Sequence, residues 1–289
     1  LTLSVDGAQT TGFTMDFQLS DANSCIYASS NPELTNYLVS LHRSTIGTST
    51  CTGLAGSYNP NNCYPSGIAT TTWNLACTAS STSCSGATDP TKTWSCTFPL
   101  WFVADPTDSA SPYSAEDWAL AIAGVDDNNA TGTMTIGTNH RELISFPAID
   151  LLTAEIPYGA LEPGDNTGSL TATTTLLSVG NTGLNQNLEG ESMCVGFAVG
   201  NECASSATST IGEFKQQFAT SSVSYGSGFA LSSSTPQLLA IKIPKTSSTT
   251  NPNGGVTYWG IEVPVTITLA GAYTGLNTFY AVTSSSTDW

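Results

Sequence analysis

Residues 170–188 read LTATTTLLSVGNTGLNQNL, and this stretch decides the fold class. Leu170–Val179 is dominated by Thr, Leu and Val, side chains that suit a pleated, half-buried surface. Gly180-Asn181-Thr182-Gly183 interrupts the run with turn residues, and Leu184–Leu188 resumes it. The reading is strand, hairpin turn, strand.

The same grammar extends in both directions. Ile149, Leu151, Ala154 and Ile156 lead into the turn Leu161-Glu162-Pro163-Gly164-Asp165, and later strands are read at Phe218–Tyr225, Leu238–Ile243, Tyr258–Val265 and Tyr273–Val282. Toward the start, Leu1, Leu3 and Val5 alternate with Thr2 and Ser4, and Phe13, Met15, Phe17 and Leu19 repeat the period of two. Tyr37, Val39 and Leu41 continue it. A helical face of Leu34, Tyr37, Leu38 and Leu41 is the rival there, set aside because Thr, Val and Ser dominate. Phe98, Leu100 and Phe102 alternate with Pro99, Trp101 and Val103, so both faces of that strand are expected to be covered. Ser114-Ala115-Glu116-Asp117 has the form of a helix capping box, yet Trp118, Leu120 and Ile122 alternate with Ala119, Ala121 and Ala123, and a strand is preferred. Asp105-Pro106-Thr107-Asp108 and Asp126-Asp127-Asn128-Asn129 are turns.

A boundary falls near residues 140–148, where His140-Arg141-Glu142 gathers charge and Pro147 follows. A length of 289 residues suits two domains of roughly 100–150 residues each. The expectation is an all-β chain of two immunoglobulin-like or jelly-roll-like antiparallel β-sandwich domains, disulfide-rich over 1–145 and cleaner in pattern over 146–289.

Composition removes several functions. Six Lys+Arg face 22 Asp+Glu, a formal charge of −16. So few cations neutralise few phosphates, which excludes nucleic acid and disfavours anionic membranes. No apolar run reaches the roughly 18 residues a membrane helix needs, so no membrane insertion is expected. The 37 Ser and 44 Thr, with 26 Gly and 14 Pro, are poor helix formers and argue against bundles and coiled coils. A start at Leu1 rather than Met reads as a processed product, and hence a secreted or cell-surface protein. Eight Cys, none spaced C-x-x-C, point to disulfides rather than zinc. Five of them, Cys51, Cys63, Cys77, Cys84 and Cys96, fall in the irregular stretch 44–96, and bridges there would each stabilise by about 2–4 kcal/mol. Of the many connectivities open to eight Cys, only Cys194–Cys203 is singled out, as a local loop closure.

Candidate chemistry is sparse. His42 and His140 are the two histidines, and no nucleophile elbow, zinc-protease or P-loop motif accompanies them. Adjacent carboxylates such as Glu116/Asp117 and Asp126/Asp127 point to opposite faces of a strand, so neither pair flanks one substrate. The chain is read as no enzyme and as needing no cofactor. Ca²⁺ is the one ion considered: Asp105 and Asp108 share a loop, as do Asp126 with Asp127 and Asp21 with Asn23, and hard oxygens from loops suit it. The plainer reading, that these are turn residues bonding their own backbone, is preferred. Asn129-Ala130-Thr131 is an N-glycosylation acceptor, and the Ser/Thr runs 232–235 and 246–250 are candidates for O-glycans. Trp73, Trp94, Trp101, Tyr58 and Tyr64 would be a glycan platform if exposed, or core if not.

The phrase Tyr158-Gly159-Ala160-Leu161-Glu162-Pro163-Gly164-Asp165, the Thr-rich run Thr171–Thr175 and Gly180-Asn181-Thr182-Gly183-Leu184 together resemble a pattern of secreted bacterial immunoglobulin-like surface proteins, and more distantly of the TasA/camelysin-like biofilm-fibre family. The likeness covers about a ninth of the chain; the eight Cys, the few Lys and the long first half depart from it. It implies an extracellular sandwich protein that polymerises when one subunit's N-terminal strand completes a neighbour's sheet, which here assigns the polymerisation strand to Leu1, Leu3 and Val5. The expected function is therefore the structural subunit of an extracellular filament, pilus-like or biofilm-matrix, whose partners are copies of itself. The alternative is a monomeric cell-surface adhesin that binds glycans.

Overall fold

The computed structural model describes all residues except 5–9, 22–33, 53–54, 67–74, 80–90, 127, 154, 201–202 and 204–207. The chain is all-β, built from antiparallel sheets, and its described residues fall into two compact units. The first unit is Leu1–Phe146 together with Ser247–Asn251; the second is Pro147–Thr246 with Pro252–Trp289.

The first unit holds β1 (Thr10–Ser20), β2 (Leu34–Arg43), β3 (Cys63–Pro65), β4 (Ala76–Ala79), β5 (Thr91–Trp101), β6 (Trp118–Asp126) and β7 (Thr135–Ile136). One sheet runs β1-β5-β4 and the other β3-β2-β6-β7. Pairing of β1 with β5 is continuous from Thr10↔Trp101 to Ser20↔Thr91. That register turns Phe17 and Leu19 inward, where they meet Leu34, Val39, Trp94 and Cys96, with Leu120 and Ile122 of β6 half-buried beside them. The period of two along 13–19 is the imprint of this one-sided burial. Pro99 is tolerated in β5 because β4 pairs only with residues 94–97 and has already ended. Residues 34–43 form a strand because β2 is paired on both edges, to β3 and β6. Both of its faces are covered at the far end, where Ser40 and His42 are as buried as Val39 and Leu41.

Arg43, only 8% exposed, is the charged centre of this unit. Its Nη1 donates to Glu116 Oε1 at 2.6 Å, its Nε stands 3.4 Å from Asp105 Oδ2, and its guanidinium lies 3.7 Å over the Tyr113 ring. Glu116 also accepts from the Thr45 hydroxyl and amide. Glu116, which would stand in the first turn of a helix begun at Ser114, is thus engaged in a tertiary ion pair, and 118–126 is a strand. Bridges join Cys51 to Cys63 and Cys77 to Cys96, the latter directly across β4 and β5. Cys25 and Cys84 lie outside the described residues.

The second unit holds β8 (Ile149–Leu151), β9 (Ala172–Ser178), β10 (Leu184–Gly190), β11 (Met193–Val195), β12 (Thr210–Ile211), β13 (Gln216–Ala219), β14 (Phe229–Ala230), β15 (Gln237–Ile243), β16 (Gly254–Ile261), β17 (Tyr273–Thr274) and β18 (Asn277–Thr283). Sheet β14-β13-β16-β9-β8 packs on sheet β15-β10-β18 through Leu188, Phe218, Leu231, Leu239 and Trp259. A small third sheet, β12-β11-β17, shares no ladder with these two but packs Ile211 against Ile261 of β16. Trp259 is fully buried and its indole donates to Thr174 Oγ1 at 2.9 Å. The strands at 172–178 and 184–190 exist as read, but the hairpin between them does not: β9 and β10 belong to different sheets. Asn181 and Thr182 are buried in a crossover between layers. A turn sequence sets a local reversal; which sheet receives the next strand depends on distant partners.

Two predictions follow from the first unit's polar core. Arg43→Ala strands Asp105 and Glu116 without their cation and should lower the unfolding free energy by about 3–5 kcal/mol in urea titration. His42 Nδ1 lies 3.2 Å from the Ser40 carbonyl, while its buried Nε2 has no hydrogen-bond partner. Burial pushes this imidazole below the ordinary histidine value, opposed by the Ser40 bond and aided by His140. The unfolded chain therefore takes up the proton first: stability is full above about pH 6.5 and falls as pH drops toward the folded value. Stability curves of His42→Gln should be flatter than wild type across that interval.

Candidate strand-accepting trough

The phrase 158–165 sits at the mouth of an unusual feature of the second unit. Asp165 N donates to Glu162 O at 2.9 Å and Gly164 has φ +96°, the geometry of a type II turn that glycine adopts without strain. Past this turn the chain pairs with the end of β16. Gly164 N donates to Val263 O, Val263 N to Asp165 O, and Thr167 N to Ile261 O. Just beyond, on the two sides, come Pro163 and Pro264, which have no N–H to contribute, and the ladder stops.

From there the two segments run on without pairing. In Glu155–Leu161 on one side and Leu269–Ala272 on the other, no main-chain N–H or C=O bonds another backbone group among the described residues. The floor between them is apolar: Ile211, Ile261, Val263 and Ile267 are buried, and Tyr158, Leu161, Met193 and Tyr273 lean on them. The open space over this floor is about 550 Å³. Along the first wall Ile156 and Tyr158 are half-buried while Pro157 and Gly159 are exposed, the alternation of a strand with one face on a core. Leu269 O accepts from the Tyr273 hydroxyl at 2.8 Å; the other main-chain groups of the two segments lie beside an apolar floor without a backbone partner among the described residues.

Hydrogen bonds and a disulfide tie the walls to neighbouring strands. Tyr158 Oη donates to Gln216 Oε1 at 2.9 Å, and the same oxygen accepts from Asn277 Nδ2 at 3.0 Å. Burial raises the Tyr158 phenol well above the ordinary tyrosine range. Cys194, in β11 beside the floor residue Met193, is bridged to Cys203. On the far wall, a Cβ at Gly271 would lie 2.8 Å from a Val195 methyl, so a larger residue there would have to displace that side chain. Large apolar side chains stand at the rim, Val265 with 78% of its surface exposed and Leu269 and Val195 beside it in class. Glu155 and Glu162 are the charged side chains of the walls; neither wall carries a cation.

The residues singled out from sequence lie elsewhere. Leu1–Ser4 is not a strand; it is seated in the first unit. Leu1 N donates to Glu142 O and Leu1 O accepts from Ile144 N, a parallel-type rung opposite Leu143. Leu3 is 2% exposed, and a cavity of about 320 Å³ beside Leu1 is bordered by Met15, Leu41, Phe98, Trp118 and Leu120. The segment's apolar side chains are thus covered at home, and Val5 lies outside the described residues. Asp105 faces Arg43, and Asp108 accepts from the Ser145 amide and hydroxyl at 2.7 Å each. Among the described residues no group of three or more His, Cys, Asp or Glu gathers as a metal site. Asp21 belongs to the described residues, whereas Asn23 and Asp127 do not. Asn129, φ +63°, stands exposed on the turn whose amides at Asn128 and Ala130 bond Asp126 Oδ1. Trp94, Trp101 and Tyr64 are buried and Tyr58 half-buried; Trp73 lies outside the described residues.

The trough was not legible as a site. Its signals in sequence are an extended stretch with Pro157 and Pro163, and Pro264 followed by exposed Val265 and Leu269. Tyr158→Phe should cost about 1 kcal/mol of stability by urea unfolding, because Gln216 keeps its bond from Asn277. No family model, curated protein or solved structure matches the chain.

Proposed function

We propose that the chain is a structural subunit of an extracellular filament, assembled when an extended segment of one copy completes a sheet of the next. The observation that carries this reading is the trough: two walls with unspent main-chain groups over an apolar floor. A strand laid there gains generic affinity from backbone hydrogen bonds, and its alternate side chains on the floor set the register. Such a contact joins unlike surfaces of two copies, so it propagates into an open polymer unless its rotation closes a ring. The three bridges among the described residues fit an extracellular protein, and among those residues no helix is long and apolar enough to cross a membrane. The adhesin alternative has less support, since the aromatic side chains that would carry a glycan platform are mostly core.

Purified protein should form ordered filaments in negative-stain electron microscopy. Ala160 and Ala272 are exposed and border the trough. Ala160→Arg or Ala272→Arg should leave the melting temperature within about 2 °C of wild type. Each should raise the concentration needed for assembly at least tenfold. Wild-type material that stays monomeric, or variants that polymerise as wild type does, would sink the reading.

A further inference from the structure

We propose that the segment laid in the trough is residues 131–137 of a second copy, an edge of the first unit, and that Arg141 clamps it to Glu155. The inference rests on the filament reading and names its donor. The wall Glu155–Leu161 lies beside an apolar floor, and the exposed carboxylates of Glu155 and Glu162 stand at its two ends. It asks for an uncharged segment of similar length, with apolar side chains at alternate positions and a cation past its end. Thr131-Gly132-Thr133-Met134-Thr135-Ile136-Gly137 has this composition: Met134 and Ile136 fall on one face, no charge occurs within it, and Arg141 follows.

The segment is presented as an edge. Thr131 bridges Val125, Thr135 and Ile136 pair with β6, and β7 ends its sheet. Gly137 N donates to Leu120 O, so the alternation of an antiparallel ladder turns the N–H and C=O of Ile136 away from β6. Every side chain of 131–137 is exposed except half-buried Met134, and Ile136 leaves 45% of its surface open. A sheet edge of this kind and a wall without backbone partners are complementary.

Charge selects this edge over the longer ones. Each copy carries −16, so a specific attraction between copies needs a cation. Edge strand β1 holds only Asp16, β18 holds no charge, and Lys242 of β15 is paired with Asp288. Arg43 and Lys215 are likewise committed to carboxylates at home. Arg141 is exposed, donates from Nη1 to the His140 carbonyl, and forms no ion pair among the described residues. Antiparallel pairing, the slightly stronger ladder, brings it to the Glu155 end of the wall.

The full chain carrying Thr138→p-benzoylphenylalanine, at an exposed position, tests the donor. Filaments grown from equal amounts of light and isotopically heavy chains are irradiated and mapped by mass spectrometry. Light–heavy adducts joining residue 138 to residues 155–159 are expected. Filaments without such adducts overturn the donor assignment and leave the filament reading standing. A complete lack of filaments from unmodified protein overturns both. Charge exchange gives a second readout. Arg141→Glu sets two carboxylates against each other and should raise the concentration needed for assembly about tenfold. Adding Glu155→Arg to the same chain should return it to within about threefold of wild type. Adding Asp150→Arg instead, at an exposed position on β8, restores the same net charge and should give no such return. Wild-type assembly by Arg141→Glu, no return with Glu155→Arg, or equal return with both additions overturns the proposal.

Discussion

Two prolines, Pro163 and Pro264, end a backbone ladder in the second unit, and the consequences of that stop run through the rest of the molecule. A main-chain N–H or C=O that loses its partner near an apolar surface is costly, which is why sheet edges are normally short, charged, bulged or covered. Elsewhere this chain obeys that rule. The edge strand β15 carries a register shift against β10 and Lys242 in a left-handed conformation, while β8 and β14 are only three and two residues long. The walls of the trough are rich in aliphatic groups, and of these protections they carry Glu155 and Pro157 on one side.

Such a feature has to be held open by its surroundings, because an apolar slot otherwise collapses. In the second unit two of the floor side chains, Ile211 and Ile261, belong to paired strands. Tyr158 is anchored through Gln216 to Asn277 of β18, and β11 is tied by the Cys194–Cys203 bridge. The first unit relies on different means: a core that includes Phe17, Trp94 and Val39, two bridges, and a buried ion pair at Arg43. With only 10% charged residues in the chain, committing Arg43, Asp105 and Glu116 to the interior leaves the surface to Ser, Thr and Asn. Little repulsion then opposes close approach of sheets, apart from the net negative charge shared by every copy.

Reading from sequence succeeded where one face of a segment is buried against its neighbours. Phe13–Leu19 and Leu184–Leu188 show it, since burial on one face writes a period of two into the residues themselves. It failed at Gly180–Gly183, where turn residues were right and the hairpin wrong, because β9 and β10 pair with β16 and β18 rather than with each other. It also failed to find the trough. Ile156, Tyr158 and Leu161 look like any strand, and nothing local reveals that their backbone has no partner.

Composition and periodicity by themselves determined that this chain is all-β, poor in cations and rich in cysteine: these are properties of residue types and their spacing, and no folding partner is needed to state them. Tertiary structure alone decided which strands share a sheet, that Asp105 answers Arg43, that Leu3 is buried in the first unit, and that Glu155–Leu161 is left unpaired. Each of those depends on contacts between residues far apart in the chain, and hydrogen-bond partners at such separations leave no mark on local pattern.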